Sequence, residues 1–329
     1  MLFDLLKQAR ALGASDVHLA AGLVPQLRVQ GELQKLDMPP ISQDMLAGEL
    51  RALLQEEQWQ RFLQAGEVDI AFSDASGERY RLNAYRQGAQ YALAIRLLQS
   101  VIPSCAALGL PQSVEKLAEL TQGLVLVAGP TGSGKTTTLV ALVQRINSER
   151  AVHIITLEDP VEYIYPQGKA LISQREIGRD TESFASGLRS ALRQDPDIIL
   201  VGELRDAESI AMALSAAETG HLVLATLHTQ DAAGSVNRIL DVLSERQAQA
   251  RSQLAECLRA VVCQRLLPRI DTEGRVAAFE VLVATEALRN IIREGRTHQL
   301  ESYIQTGKRF GMQTMAESVV ALRKQEFIK

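Results

Sequence analysis

The segment Gly129-Pro130-Thr131-Gly132-Ser133-Gly134-Lys135-Thr136 satisfies GxxxxGK[ST] at every fixed position. No other feature of the chain constrains its fold as much. The pattern requires a strand before it and a helix after it, and both are legible. Leu124-Val125-Leu126-Val127 is a short apolar run ending at the glycine loop, and Leu139, Leu142, Val143 and Ile146 recur behind it at helical spacing. Glycines let successive backbone N–H groups curl around phosphate oxygens, and a helix N-terminus adds positive potential. In such a loop Lys135 reaches the β and γ phosphates of a nucleotide and the Thr136 hydroxyl ligates Mg2+. The expected small molecules are therefore a nucleoside triphosphate and Mg2+.

Apolar runs at Ile154-Ile155, Ile198-Ile199-Leu200-Val201 and Leu222-Val223-Leu224-Ala225 continue the alternation of strand, loop and helix. Repeated βα units imply a mostly parallel, buried sheet. The carboxyl ends of its strands lie on one edge, the edge that also carries the phosphate loop. Glu158 and Asp159 follow the 153–157 run, Glu162 comes shortly after, Glu203 follows the 198–201 run, and His228 follows the 222–227 run. The pattern thus places Glu158, Glu162, Glu203 and His228 around the phosphates, the kind of set that phosphoryl transfer uses. The acid near the fourth run departs from the usual Walker B, because Gly202 separates Glu203 from the run while Asp197 precedes it. Asp197 falls at the wrong end of the strand, so Glu203 is the expected catalytic acid.

Upstream the pattern differs. Leu5, Leu6, Ala9 and Leu12 sit at helical spacing, Val17 with Leu19 and Leu27 with Val29 alternate like strands, and Gly77 turns a hairpin whose second arm is 80–85. A chain of 329 residues fits two domains. The expected division is an α+β domain at 1–100, a breaker-rich linker at 101–118 and an α/β domain at 119–329, chiefly helical after about 245. A net charge of -4 and a pI near 5.8 disfavour a nucleic-acid binder. Cys105, Cys257 and Cys263 form no CxxC pair, which argues for reduced thiols in a cytosolic protein rather than a zinc site. No basic segment leads into an apolar one at the start, so no signal peptide is expected. No apolar run approaches the roughly 20 residues of a membrane span, so a membrane role requires a partner.

The string from Gly129 to Thr138 (GPTGSGKTTT), which includes Thr137, resembles the Walker A of the secretion and type IV pilus ATPases, the GspE/PilB/PilT superfamily. Leu157-Glu158-Asp159-Pro160-Val161-Glu162 resembles their Asp box. Leu188 to Asp206 (LRSALRQDPDIILVGELRD) resembles their Walker B, glycine included, and Thr219 to Thr229 (TGHLVLATLHT) their His box. Ala287 to Glu294 (ALRNIIRE) is similar to the AIRNLIRE signature of the PilT-like retraction ATPases, and Gln305-Thr306-Gly307 with Gly311-Met312-Gln313-Thr314-Met315 to their tail. Secretion and extension relatives usually carry a longer N-terminal region and often a four-cysteine module, which this sequence lacks.

The resemblance implies an α+β, PAS-like N-terminal domain, a RecA-like ATPase domain with a helical C-terminal part, and a homo-hexameric ring with ATP between domains. It implies a pilus retraction motor for twitching motility. The motor would be cytoplasmic, peripheral at the inner membrane, and would work on a pilus platform protein there. An extension or secretion motor, or an adaptor with little turnover, is the alternative. Glu203 would act on water with Glu158 and Glu162 assisting, and His228 would sense the γ phosphate. Arg81, in Arg81-Leu82-Asn83, and Arg96 match arginines that complete the family's site, with Arg79 a weaker candidate. A further arginine is expected about where Ala89 falls, with Arg86 nearby. Ser15-Asp16-Val17-His18-Leu19 matches the family's ASDxHL.

Overall fold

The computed structural model describes residues 1–329. The chain divides into two compact units, Met1–Val101 with Pro160–Ile164, and Ile102–Asp159 with Tyr165–Lys329.

The first unit is built on strands β1 (Ala14–Ala20), β2 (Gln26–Val29), β3 (Glu32–Lys35), β4 (Glu67–Ser73), β5 (Arg79–Gln87) and β6 (Gln90–Leu97). They form one sheet in the order β3-β2-β1-β6-β5-β4, antiparallel throughout. The alternation seen in the sequence becomes a buried face carrying Val17, Leu19, Leu82, Leu93 and Ile95. Helices Leu2–Ala11, Gln43–Leu53 and Glu56–Ala65 complete that core with Leu5, Leu6, Leu46, Leu50 and Phe62. Gln87 pairs with Gln90, so the β5–β6 turn has only Gly88 and Ala89, with φ of 56° and 65°. Positive φ at both positions is what a tight hairpin turn of this hand demands. Ala89, where the resemblance expects an arginine, is thus at a hairpin tip.

The second unit holds β7 (Gly123–Ala128), β8 (His153–Glu158), β9 (Leu171–Glu176), β10 (Ile198–Val201), β11 (Leu222–Leu227), β12 (Leu258–Pro268) and β13 (Arg275–Val283). Their order is β13-β12-β7-β11-β10-β8-β9, with every pair parallel except β12–β13. Successive side chains of β7 enter different cores. Leu124, Leu126 and Ala128 join Leu157, Leu188 and Ile210, whereas Val125 and Val127 join Leu139, Leu142 and Ile154. Burial on both faces explains the uninterrupted apolar runs. This is the mixed α/β class expected, with the phosphate-loop strand in the interior of the sheet.

Two details differ from the sequence reading. The stretch read as a linker sends Cys105, Leu110, Val114, Leu117 and Ala118 into the second unit's core. Its prolines and glycines break regular structure while these five residues stay buried. The region after 245 opens with the helix Gln247–Cys257 as expected, but then contains the two strands β12 and β13 before helices resume at Glu286. The segment 260–263 is buried at every position and so carries no alternation, which leaves periodicity unable to tell strand from helix.

Candidate active site

The phosphate loop leaves β7 at Gly129, with φ of 150°, 74° and 88° at Gly129, Gly132 and Gly134, and runs into helix Lys135–Glu149. Such φ values suit glycine and few other residues. Pro130, Thr131 and Gly132 form the exposed crest, Thr136 is exposed on the first helical turn, and Thr137 is half-buried beside it. Lys135 is buried, and its Nζ donates to the carbonyl oxygens of Gly129 at 2.8 Å and Pro130 at 3.1 Å. Burial lowers the Lys135 pKa, and the nearby charge of Glu203 opposes the shift. The Ser133 hydroxyl is buried inside the loop without a hydrogen-bond partner. An orphaned hydroxyl, a lysine held at the loop and a helix N-terminus fit a polyphosphate.

Glu203 lies two residues beyond β10. Its carboxylate meets Arg205 Nη2 at 2.8 Å and His228 Nε2 at 3.3 Å, and His228 directly follows β11. Lys135, Glu203 and His228 therefore converge from the carboxyl ends of β7, β10 and β11. Gly202 has a steric reason. Its N–H donates to the Leu157 carbonyl at 2.8 Å, and a Cβ at 202 would stand 3.1 Å from that oxygen and 3.5 Å from Glu158 Cα. The strand-end neighbour would have to give by a few tenths of an ångström to admit a side chain. The hydroxyl of Thr226 also donates to the Gly202 carbonyl.

Glu158, at the end of β8, is buried and accepts hydrogen bonds from Thr156 Oγ1 at 2.6 Å and Gln174 Nε2 at 3.0 Å. Asp197 sits at the opposite end of β10. It accepts from the His153 N–H at 2.8 Å on its carboxylate and from the Leu222 N–H at 3.1 Å on its carbonyl. These bonds tie the starts of β8 and β11 to that of β10, which is a structural task.

The remaining predicted residues belong to the first unit. Glu162 lies in the segment Pro160–Ile164 and is 3.6 Å from Arg81 Nη1. Burial raises the Glu162 pKa, and Arg81, then Arg96, pull it back. Although close to Glu158 in sequence, Glu162 belongs to the first unit, because the chain crosses between units at Pro160. Arg81 also pairs with Asp69 at 2.7 Å, and Arg96 with Asp16 at 3.1 Å while largely exposed. Arg79 donates to the Val161 carbonyl. Arg86 lies over the rings of Phe62 and Tyr91 at 5.6 and 6.0 Å. That is a packing role.

Sequence reasoning missed Arg205, Gln174 and Glu280. Glu280 on β13 accepts from the Ala232 N–H at 2.8 Å, anchoring the helix Ala232–Val242 that succeeds the His228 loop. Arg205 had a signal, since it stands two residues from Glu203. Glu280 had none, being 48 residues from its partner.

If Glu203 acts on the nucleophile, Glu203→Gln keeps ATP binding and loses turnover by about two to four orders of magnitude. Asp197→Asn should lower stability more than turnover. Parallel ATPase assays and thermal melts of both variants decide the matter. An active Glu203→Gln beside a well-folded, inactive Asp197→Asn would reverse the assignment.

A family model described as "Type II/IV secretion system protein" matches residues 1–326. A curated relative, "Type IV pilus retractation ATPase PilT" of Pseudomonas aeruginosa, is 44% identical over 313 residues, 95% of this chain and 91% of the relative. "Uncharacterized protein YggR" of Escherichia coli K12 is 48% identical over 308 residues, 92% of each chain. The crystal structure of the pilus retraction motor PilT with bound ADP superposes with a TM-score of 0.91 at 43% identity, covering 99% of this chain and 94% of that one. With a matched model spanning nearly its whole length, the chain belongs to the type II/IV secretion system protein family.

Proposed function

We propose that the protein is an ATP-hydrolysing motor of the type IV pilus retraction type, assembled as a homo-hexamer. The observation that carries this reading is the convergence of Lys135, Glu203 and His228 at one sheet edge. The similarity to PilT-named relatives selects retraction from the family's other tasks. Lys135 exchanges its carbonyl partners for phosphate oxygens, and Ser133 with the backbone N–H groups of 129–137 receives the rest. Mg2+, held through Thr136, would neutralise charge on the phosphates. Glu203 orients the attacking water, with Glu158 behind it at the next strand end. Arg205 and His228 hold the Glu203 carboxylate in place. His228, which also faces the phosphates in this reading, reports their state to the helix that Glu280 anchors.

Arg81 and Arg96 act in trans on a neighbouring subunit's nucleotide. Glu162 serves as the counter-ion that aims Arg81 rather than as a partner of Glu203. The work is delivered to a platform protein of the inner membrane from the cytoplasmic side. No helix of the chain is long and apolar enough to cross a membrane. The acidic balance gives no support to a nucleic-acid partner.

Deletion in the host should leave more surface pili and abolish twitching. Loss of pili would point instead to an extension motor. Light scattering with Mg2+ and a non-hydrolysable ATP analogue should give six times the 36.0 kDa subunit mass. A monomer at every micromolar concentration would remove the ring and the trans arginines with it.

A further inference from the structure

We propose that Gln264, on β12, is a positioning residue that sets the depth of the phosphate cradle. The inference rests on the phosphate-loop reading above. β12 runs parallel to β7 with Cys263 level with Ala128, so Gln264 is one step past the end of β7, beside the first glycine of the loop. From there it meets the loop at three points. A Cβ on Gly129 would lie 2.4 Å from the Gln264 carbonyl oxygen. A Cβ on Gly134 would lie 2.8 Å from Gln264 Nε2. Gln264 Oε1 accepts from the Thr138 hydroxyl at 2.7 Å in a buried hydrogen bond. One residue, 126 positions from Thr138, therefore touches the entry glycine, the exit glycine and the next turn of the phosphate-binding helix.

The chemistry of the position is unusual for its strand. Gln264 is 4% exposed, and the residues before it are Val261, Val262 and Cys263. A buried amide is costly unless its polar atoms are satisfied, so an apolar side chain would be the default for a strand between two others. The amide instead spans the gap under the loop. Its oxygen faces Thr138 and its nitrogen lies beneath Gly134, presenting a donor edge toward the segment that holds anionic phosphates. The approach to Gly129 is made by the backbone carbonyl, whereas the approach to Gly134 is made by the side-chain amide and so depends on the identity of the residue. Lys135, one residue beyond Gly134, inherits its height from that contact.

The test compares Gln264→Leu, Gln264→Glu and Thr138→Val, with binding of fluorescent mant-AMP, mant-ADP and mant-ATP and steady-state ATP hydrolysis as readouts. Gln264→Leu should raise KM for ATP about three- to tenfold, the scale of one neutral hydrogen bond, with kcat within about twofold. Gln264→Glu keeps an acceptor for Thr138 but replaces the donor edge with a carboxylate. Its loss of affinity should exceed that of Gln264→Leu, reach at least about tenfold for mant-ATP, and grow from mant-AMP to mant-ATP. Thr138→Val leaves the amide under Gly134 and should cost less than either. A purely structural Gln264 predicts losses that follow the loss of stability in each variant and are equal for all three nucleotides. That result, or unchanged KM in both Gln264 variants, overturns the inference. Gln264→Glu and Thr138→Val keep the test decisive if Gln264→Leu does not fold. Lys135→Ala separates the two levels. If it abolishes binding while the Gln264 variants do not move KM, only this inference fails. If Lys135→Ala also binds normally, the phosphate-loop reading falls as well.

Discussion

The candidate site depends on the double-sided burial of β7. This strand is hydrogen-bonded to β11 on one side and β12 on the other, and its side chains enter separate cores above and below. Few strands have less freedom to shift. A glycine loop that must cradle phosphates to within tenths of an ångström gains its precision from such an anchor. The flanking strands then decide which side chains reach the loop. β11 delivers His228, β10 delivers Glu203, and β12 brings Gln264 beneath the glycines.

Charge is arranged to be held until it is needed. The Lys135 ammonium rests on two carbonyl oxygens, a hold that is weaker than an ion pair and easily exchanged for phosphate. Glu203 is pinned from both sides, by a guanidinium and by an imidazole. An acid fixed in this way presents one orientation to water, which favours a positioned nucleophile over a mobile one. In the first unit, Arg81 is likewise clamped between Asp69 and Glu162. An arginine that is to act on a second subunit benefits from losing its rotamer freedom beforehand.

The sequence made the strand ends legible because a buried parallel strand writes itself as an apolar run, and the residues just past that run must lie on the catalytic edge. That logic placed Lys135, Glu203 and His228 without any knowledge of distances. It also excluded Asp197, whose hydrogen bonds to the starts of neighbouring strands give it another task. Glu162 follows no strand end of its own; it lies in the segment that joins the first unit, beside Arg81. Gln264 and Glu280 were illegible. Each acts on residues brought close only by sheet order, and an isolated polar residue within an apolar stretch carries no pattern. The strands that bear them, β12 and β13, were themselves read as part of a helical tail. Gly202 stands out as an anomaly in the sequence, and in the fold it lies in tight contact with the Leu157 carbonyl.

The central claim is that this loop binds nucleotide phosphates through Lys135 and commits them to hydrolysis. Phosphate release from Mg-ATP by the purified chain, measured beside Lys135→Ala at equal concentration, tests it most directly. Steady turnover in the wild type, absent from Lys135→Ala and restored by no increase in ATP, is the predicted result. Equal rates in the two proteins, or no turnover in the wild type across ATP and Mg2+ concentrations, would contradict it.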